Sequence, residues 1–98
     1  MSDFSPHPLL SERSRLVILA TLATSAEPIE FLQLLRDTKL TKGNLSVHVR
    51  KLEEAGLVEV IKEFIDRKSH TRYRCTKQGR RELKSYLASV ERLLKDMS

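Results

Sequence analysis

Ser46, Val47 and Arg50 fall within five residues, at spacings that a helix gathers onto one face. A guanidinium on such a face can grip guanine O6 and N7 together, and valine methyls can touch the methyl of thymine. Lys42 and Lys51 flank them with ammonium groups suited to phosphate. Thr41 and Asn44 can also reach phosphate, because the positive end of a helix favours an anion. Gly43 costs about 1 kcal/mol relative to alanine inside a helix. A close approach of backbone to nucleic acid accounts for it, and so does an irregular first turn. A second cationic group, Arg67, Lys68, His70 and Arg72, lies farther along the chain. Like charges so close repel one another unless something anionic meets them, and a phosphate backbone does so economically. The competing use of both groups is an ordinary solvated surface. Arg74 stands near the second group, and Arg80 and Arg81 either extend the basic surface or pair with glutamates.

Other chemistries find little support. The sequence has no Gly-rich phosphate loop, no paired carboxylates in a plausible cleft and no Cys–His arrangement with a residue to orient it. No catalytic residue, enzyme activity or cofactor is expected. His7, His48 and His70 sit on separate segments without ligand spacing, so no metal site is expected. His48, beside an apolar stripe, reads as a half-buried structural histidine. Cys75 is the single cysteine, which excludes an intrachain disulfide and fits a reducing compartment. It reads as a buried, inert thiol, with a redox sensor as the alternative that Arg74 nearby keeps open.

The 98 residues leave room for one small domain, residues 1–98, and a hydrophobic content of 40% argues against disorder. The net charge of +5 fits a polyanionic partner. The longest apolar run, Leu16 to Ala20, is far too short to cross a bilayer, and the N-terminus does not read as a secretory signal. These features point to a cytoplasmic protein without a membrane partner.

The elements that position these groups follow from spacing. Residues 1–10 read as an extended arm, with Pro6 and Pro8 disfavouring helix and Phe4, Leu9 and Leu10 free to dock. Ser11 is the expected cap of a helix to about Ala23, apolar on most sides and therefore central. Pro28-Ile29 forms a short edge strand or leads directly into a second helix to about Asp37, with Phe31, Leu32, Leu34 and Leu35 for burial. After the tight connection Thr38-Lys39-Leu40, a third helix spans 41–55. Thr41 caps it, Leu45, Val49 and Leu52 face a core, and Gly56 stops it. The period then changes. Val58 to Ile65 reads as a strand, residues 66–70 as a polar turn, and Thr71 to Cys75 as a return strand with Tyr73 and Cys75 on one side. Thr76 caps a last helix over 77–97.

Leu83, Leu87, Val90, Leu94 and Met97 recur on that helix at spacings of four and three, flanked by Tyr86 and Leu93. A domain this size cannot cover so long a seam. A homodimer through this helix, with Phe4, Leu9 and Leu10 of the arm, is the preferred reading over packing within one chain. Three helices, a β-hairpin and a dimerisation helix describe an α+β, mostly helical winged helix-turn-helix.

Two stretches also look familiar. Asn44 to Val58 resembles the recognition-helix segment of small winged-helix transcriptional regulators of the MarR and ArsR types, where patterns close to LSxHLxKLExAGLV recur. Thr71 to Arg80 resembles their second wing strand and its YxLTxxGR exit. The resemblance covers roughly Leu16 to Leu87. It implies a homodimer on a pseudo-palindromic site in double-stranded DNA, with the third helix in the major groove and the wing, 66–72, on backbone or minor groove. Transcription would be regulated, most simply by repression. The chain lacks the cysteine-rich metal motif of the ArsR-type sensors and is shorter than the usual MarR-type chain. A small-molecule effector is left open. The alternative reading is a winged-helix protein-interaction module without sequence-specific DNA binding.

Overall fold

The computed structural model describes residues 6–98; Phe4, expected to dock with the arm, lies outside them. The chain runs α1 (Arg13–Ala23), β1 (Ile29–Glu30), α2 (Phe31–Thr38), α3 (Lys42–Glu54), β2 (Val58–Ile65), β3 (Lys68–Cys75) and α4 (Lys77–Asp96). The three strands form an antiparallel sheet in the order β1-β3-β2. Of the two readings of Pro28-Ile29, the edge strand is the one formed. Ile29 pairs with Tyr73 and Glu30 with Arg72, so the hairpin is part of a three-stranded sheet.

α1 lies at the centre and touches α2, α3, α4 and β3. Its Ile18, Leu19 and Leu22 are buried with Leu34 of α2, Leu45, Val49 and Leu52 of α3, and Leu57, Val58 and Cys75 beyond. Its cap differs from expectation. Glu12, and not Ser11, accepts hydrogen bonds from the backbone N–H groups of Ser14 and Arg15, both at 3.0 Å. Burial works to raise the Glu12 pKa, but those two bonds and the nearby His48 outweigh it, and the carboxyl titrates below its ordinary value. The other end of α1 is held by α4. Arg80 donates from Nη1 to the carbonyl of Ala23 at 2.9 Å, placing a cation where the helix dipole favours one. Arg80 therefore neither pairs with a glutamate nor stands free.

α2 buries Leu34 and Thr38, four residues apart, and half-buries Phe31 and Leu35. Leu32, expected inside, is exposed because it lies two residues from Leu34 and so off the inward stripe. Lys39 ends the helix in the left-handed conformation, which keeps the connection to α3 short.

The described part of the arm, residues 6–10, is not extended. His7 Nδ1 accepts from the N–H groups of Leu9 and Leu10, so Nε2 carries the proton and donates to Glu82 of α4 at 2.8 Å. The hydrogen bonds of Gln78 and then His7 hold the Glu82 carboxyl below the usual range. The resulting turn seats Leu10 fully inside the core and Leu9 against it. Leu83, the first residue of the apolar seam on α4, is buried in the same core.

Candidate nucleic-acid interface

Three backbone devices place α3. Thr41 Oγ1 accepts from the Asn44 N–H at 3.2 Å and starts the helix. Leu45, Val49 and Leu52 pin its inner stripe. At the far end Gly56, at φ 80°, lets its own N–H reach the carbonyl of Glu53 and the Leu57 N–H reach that of Leu52, both at 2.9 Å. That pair of bonds is a Schellman closure, and it needs a left-handed residue at Gly56.

With the inner stripe consumed, the outer face is fixed. Thr41, Lys42, Gly43, Asn44, Ser46, Val47, Arg50 and Lys51 are all exposed. None of the cations Lys42, Arg50 and Lys51 forms an ion pair with a described residue. Val47 is 53% exposed, an apolar side chain that the fold leaves in water. His48 is turned inward. It accepts from Arg15 Nη1 at 3.1 Å and lies 3.7 Å from Glu12, a structural role as expected.

Gly43 is not required by the fold. A Cβ built there meets nothing within 4 Å, and its φ is not among the positive ones. The first turn of α3 is regular, so of the two accounts of Gly43 the irregular turn fails. Gly43→Ala should therefore raise the thermal stability of the free protein, by up to about 1 kcal/mol. If the backbone here approaches DNA, the same substitution should weaken duplex binding. Thermal unfolding and anisotropy titration of one preparation measure both signs.

The hairpin turns more tightly than expected. Asp66 and Arg67, at φ 50° and 64°, form the whole turn, and Lys68, Ser69 and His70 belong to β3, opposite Ile65, Phe64 and Glu63. Two central residues with positive φ make the turn whose twist matches a hairpin. The wing cations also divide in a way that their spacing does not reveal. Arg72 is paired with Glu63 and Arg74 with Glu59 across the strands, and His70 Nδ1 lies 3.7 Å from Glu30. Arg67 and Lys68, at the tip, lack such a partner among the described residues, as does Lys62 on β2.

A groove of about 310 Å³ separates α3 from the sheet, lined by Ser46, Val49, Arg50 and Glu53 on one side and Val60, Lys62, Thr71 and Tyr73 on the other, with Phe31 of α2 also lining it. Burial, and then the Glu53 charge, push the Tyr73 hydroxyl upward, so it stays neutral. Cys75 is buried, and desolvation raises its pKa against the weaker opposing effect of Arg80. A protonated, buried thiol is a poor nucleophile, which agrees with the inert reading.

A helix pair joined by a short turn, its second helix outward-facing and followed by a β-hairpin, defines a winged helix. Residues 14–94 match the family of winged helix DNA-binding domains, and the chain belongs to that family. It is 39% identical over 83 residues to an uncharacterized protein of Methanocaldococcus jannaschii, covering 85% of this chain and 89% of the other. A transcriptional regulator homologue from Pyrococcus horikoshii is 32% identical and superposes with a TM-score of 0.84, over 92% of this chain and 88% of that one. MarR itself superposes at 0.71 over 88% of this chain and 64% of its own, at 21% identity, a likeness of fold alone. DNA binding and transcription regulation are thus the functional class, and the likeness to MarR is one of fold.

Proposed function

We propose that this chain is a sequence-specific double-stranded DNA-binding homodimer that represses transcription in the cytoplasm and catalyses no reaction. The observation that carries the reading is the outer face of α3, where Lys42, Ser46, Val47, Arg50 and Lys51 are exposed together and the cations find no ion-pair partner among the described residues. Ser46, Val47 and Arg50 read base edges in the major groove. Thr41, Lys42, Gly43, Asn44 and Lys51 hold the adjacent phosphates, and the wing, through Arg67 and Lys68, holds the next stretch of backbone or minor groove. His70 and Arg72 contribute less, because Glu30 and Glu63 already face them. The whole chain, residues 1–98, acts as one DNA-binding unit.

Anisotropy titrations of labelled duplexes at several salt concentrations test this. Affinity should fall steeply with salt, as counterion release requires. A protein that binds no duplex at low salt, yet recovers a stoichiometric protein partner, would instead be an interaction module.

The partner-facing surface of α4 is narrower than the full seam. With Leu10 and Leu83 spent inside the domain, and Leu9 and Tyr86 packed on its core, Leu87, Val90, Leu94 and Met97 are left. Leu94 and Met97 are 60% and 75% exposed. The double substitution of Leu87 and Leu94 by Asp should convert a dimer to a folded monomer in sedimentation, because neither side chain belongs to the core. An unchanged mass would remove α4 as the interface.

A further inference from the structure

Phe64 is 76% exposed and takes no part in the core or in the groove beside α3. Its position follows from strand register. Val58 faces Cys75, Val60 faces Tyr73, Lys62 faces Thr71 and Phe64 faces Ser69. With a period of two, these pairs share one side of the hairpin. Val58 and Cys75 are buried, while Val60, Lys62, Thr71 and Tyr73 line the groove against α3. Phe64 is therefore the outermost residue of the row that faces α3, carried past the groove.

Four residues of strand separate Phe64 from Val60, which corresponds to about 13 Å. The major groove and its neighbouring minor groove are separated by about 17 Å, half a helical repeat. With the reach of its ring added, Phe64 extends beyond Val60, which borders the groove beside α3, by a length of that order. The charges point the same way. Arg72 and Arg74, toward the body of the protein, are neutralised by Glu63 and Glu59. Lys62, two residues before Phe64 on the same side of β2, and Arg67 and Lys68 at the tip of the hairpin form no ion pair with a described residue. An exposed apolar ring at a hairpin end whose nearby cations have no ion-pair partner among the described residues matches a minor groove, where apolar sugar faces lie between two phosphate rims.

We propose that Phe64 is an apolar wedge: its ring enters the minor groove beside the segment read by α3, and Arg67 and Lys68 clamp the flanking phosphates. The inference rests on the DNA-binding reading above. The wedge makes the base step beneath it a determinant of specificity, even though no base edge there is hydrogen-bonded. Pyrimidine–purine steps, the easiest to unstack, are favoured at that position.

The test compares the full-length wild type with Phe64→Ala, Lys68→Ala and Arg50→Ala on a duplex selected from a random pool. Phe64→Ala should lower affinity about tenfold or more with an unchanged salt slope, because the lost contact is apolar. Lys68→Ala should instead reduce the slope by about 1. A 2-aminopurine placed in turn at each flanking position should brighten at one step with wild type, and not with Phe64→Ala. Because Phe64 is exposed, the thermal midpoint should stay unchanged, which separates this loss from misfolding. If Arg50→Ala changes recognition while Phe64→Ala binds as wild type, the wedge is overturned and the DNA-binding reading stands. If wild type binds no duplex, both fall. If Phe64→Ala changes the mass in solution, the ring serves a contact between copies and the proposal is overturned.

Discussion

Gly79→Ala should destabilise the protein by about 2 kcal/mol, which for a domain of this size lowers the thermal midpoint by roughly 10 °C. A Cβ at position 79 would lie 2.3 Å from the carbonyl oxygen of Leu57 and 3.1 Å from Cys75 Sγ. The oxygen cannot retreat. It accepts the Thr76 N–H at 3.0 Å, while the Leu57 N–H closes α3 on Leu52. Thr76 is tied on both sides as well. Its hydroxyl donates to the Gly56 carbonyl at 2.7 Å and accepts from the Gly79 N–H at 2.9 Å. The alternative is for α4 to lift, and that would disturb Leu83 in the core and the Arg80 contact with α1. Overpacking of this kind costs up to about 3 kcal/mol, and the better helix propensity of alanine returns about 1. Gly43→Ala makes the same chemical change one position nearer the start of its own helix, and its sign is opposite because its Cβ meets open space. Unfolding of both variants at one protein concentration checks the pair; a Gly79→Ala midpoint at or above wild type would contradict the packing argument.

Arg50→Ala should cost about 1–3 kcal/mol against the preferred base, roughly 5- to 150-fold, with stability changed by less than about 0.5 kcal/mol. The side chain is exposed, has no ion-pair partner among the described residues and borders the groove between α3 and the sheet. Removing it breaks nothing in the fold. Arg50→Lys separates charge from shape, since lysine keeps the charge but lacks the planar fork that grips two acceptors. The lysine variant should bind duplexes in general nearly as well as wild type and still lose discrimination at one position. Repeating the selection from a random duplex pool with each variant reads this directly. An unaltered sequence preference in both would remove Arg50 from base recognition.

The recognition helix was legible because its signals are local. Thr41 as cap, the stripe Leu45, Val49 and Leu52, and the stop at Gly56 all sit within one segment, and each is realised. Its outer face could therefore be named residue by residue. The wing was legible in outline only. The strand Val58–Ile65 follows from β-branched alternation, yet the turn reads as 66–70 by composition and is Asp66-Arg67 in the fold. Cross-strand pairing decides that point, since matching Ile65 to Lys68 and Phe64 to Ser69 consumes the polar residues. Composition also missed Glu59 and Glu63 as partners of Arg74 and Arg72, because they lie on the other strand and their reach depends on register. The exposure of Phe64 is not legible in the sequence for the same reason. An apolar residue in an alternating strand reads as inward, and only the length of the hairpin beyond the body leaves it uncovered.

What the sequence by itself determined is the set of helices and hairpin strands, the caps of α3 and α4, and the face that α3 turns outward. These follow from hydrogen bonds and side-chain periods spanning a few residues. Tertiary structure alone decided what meets each inward or charged group: Leu10 and Leu83 in one core, His7 on Glu82, Arg80 on the end of α1, and Gly79 against the Leu57 carbonyl. A period names a face but not its neighbour. The residues in these contacts stand up to 75 positions apart, so only packing brings them together.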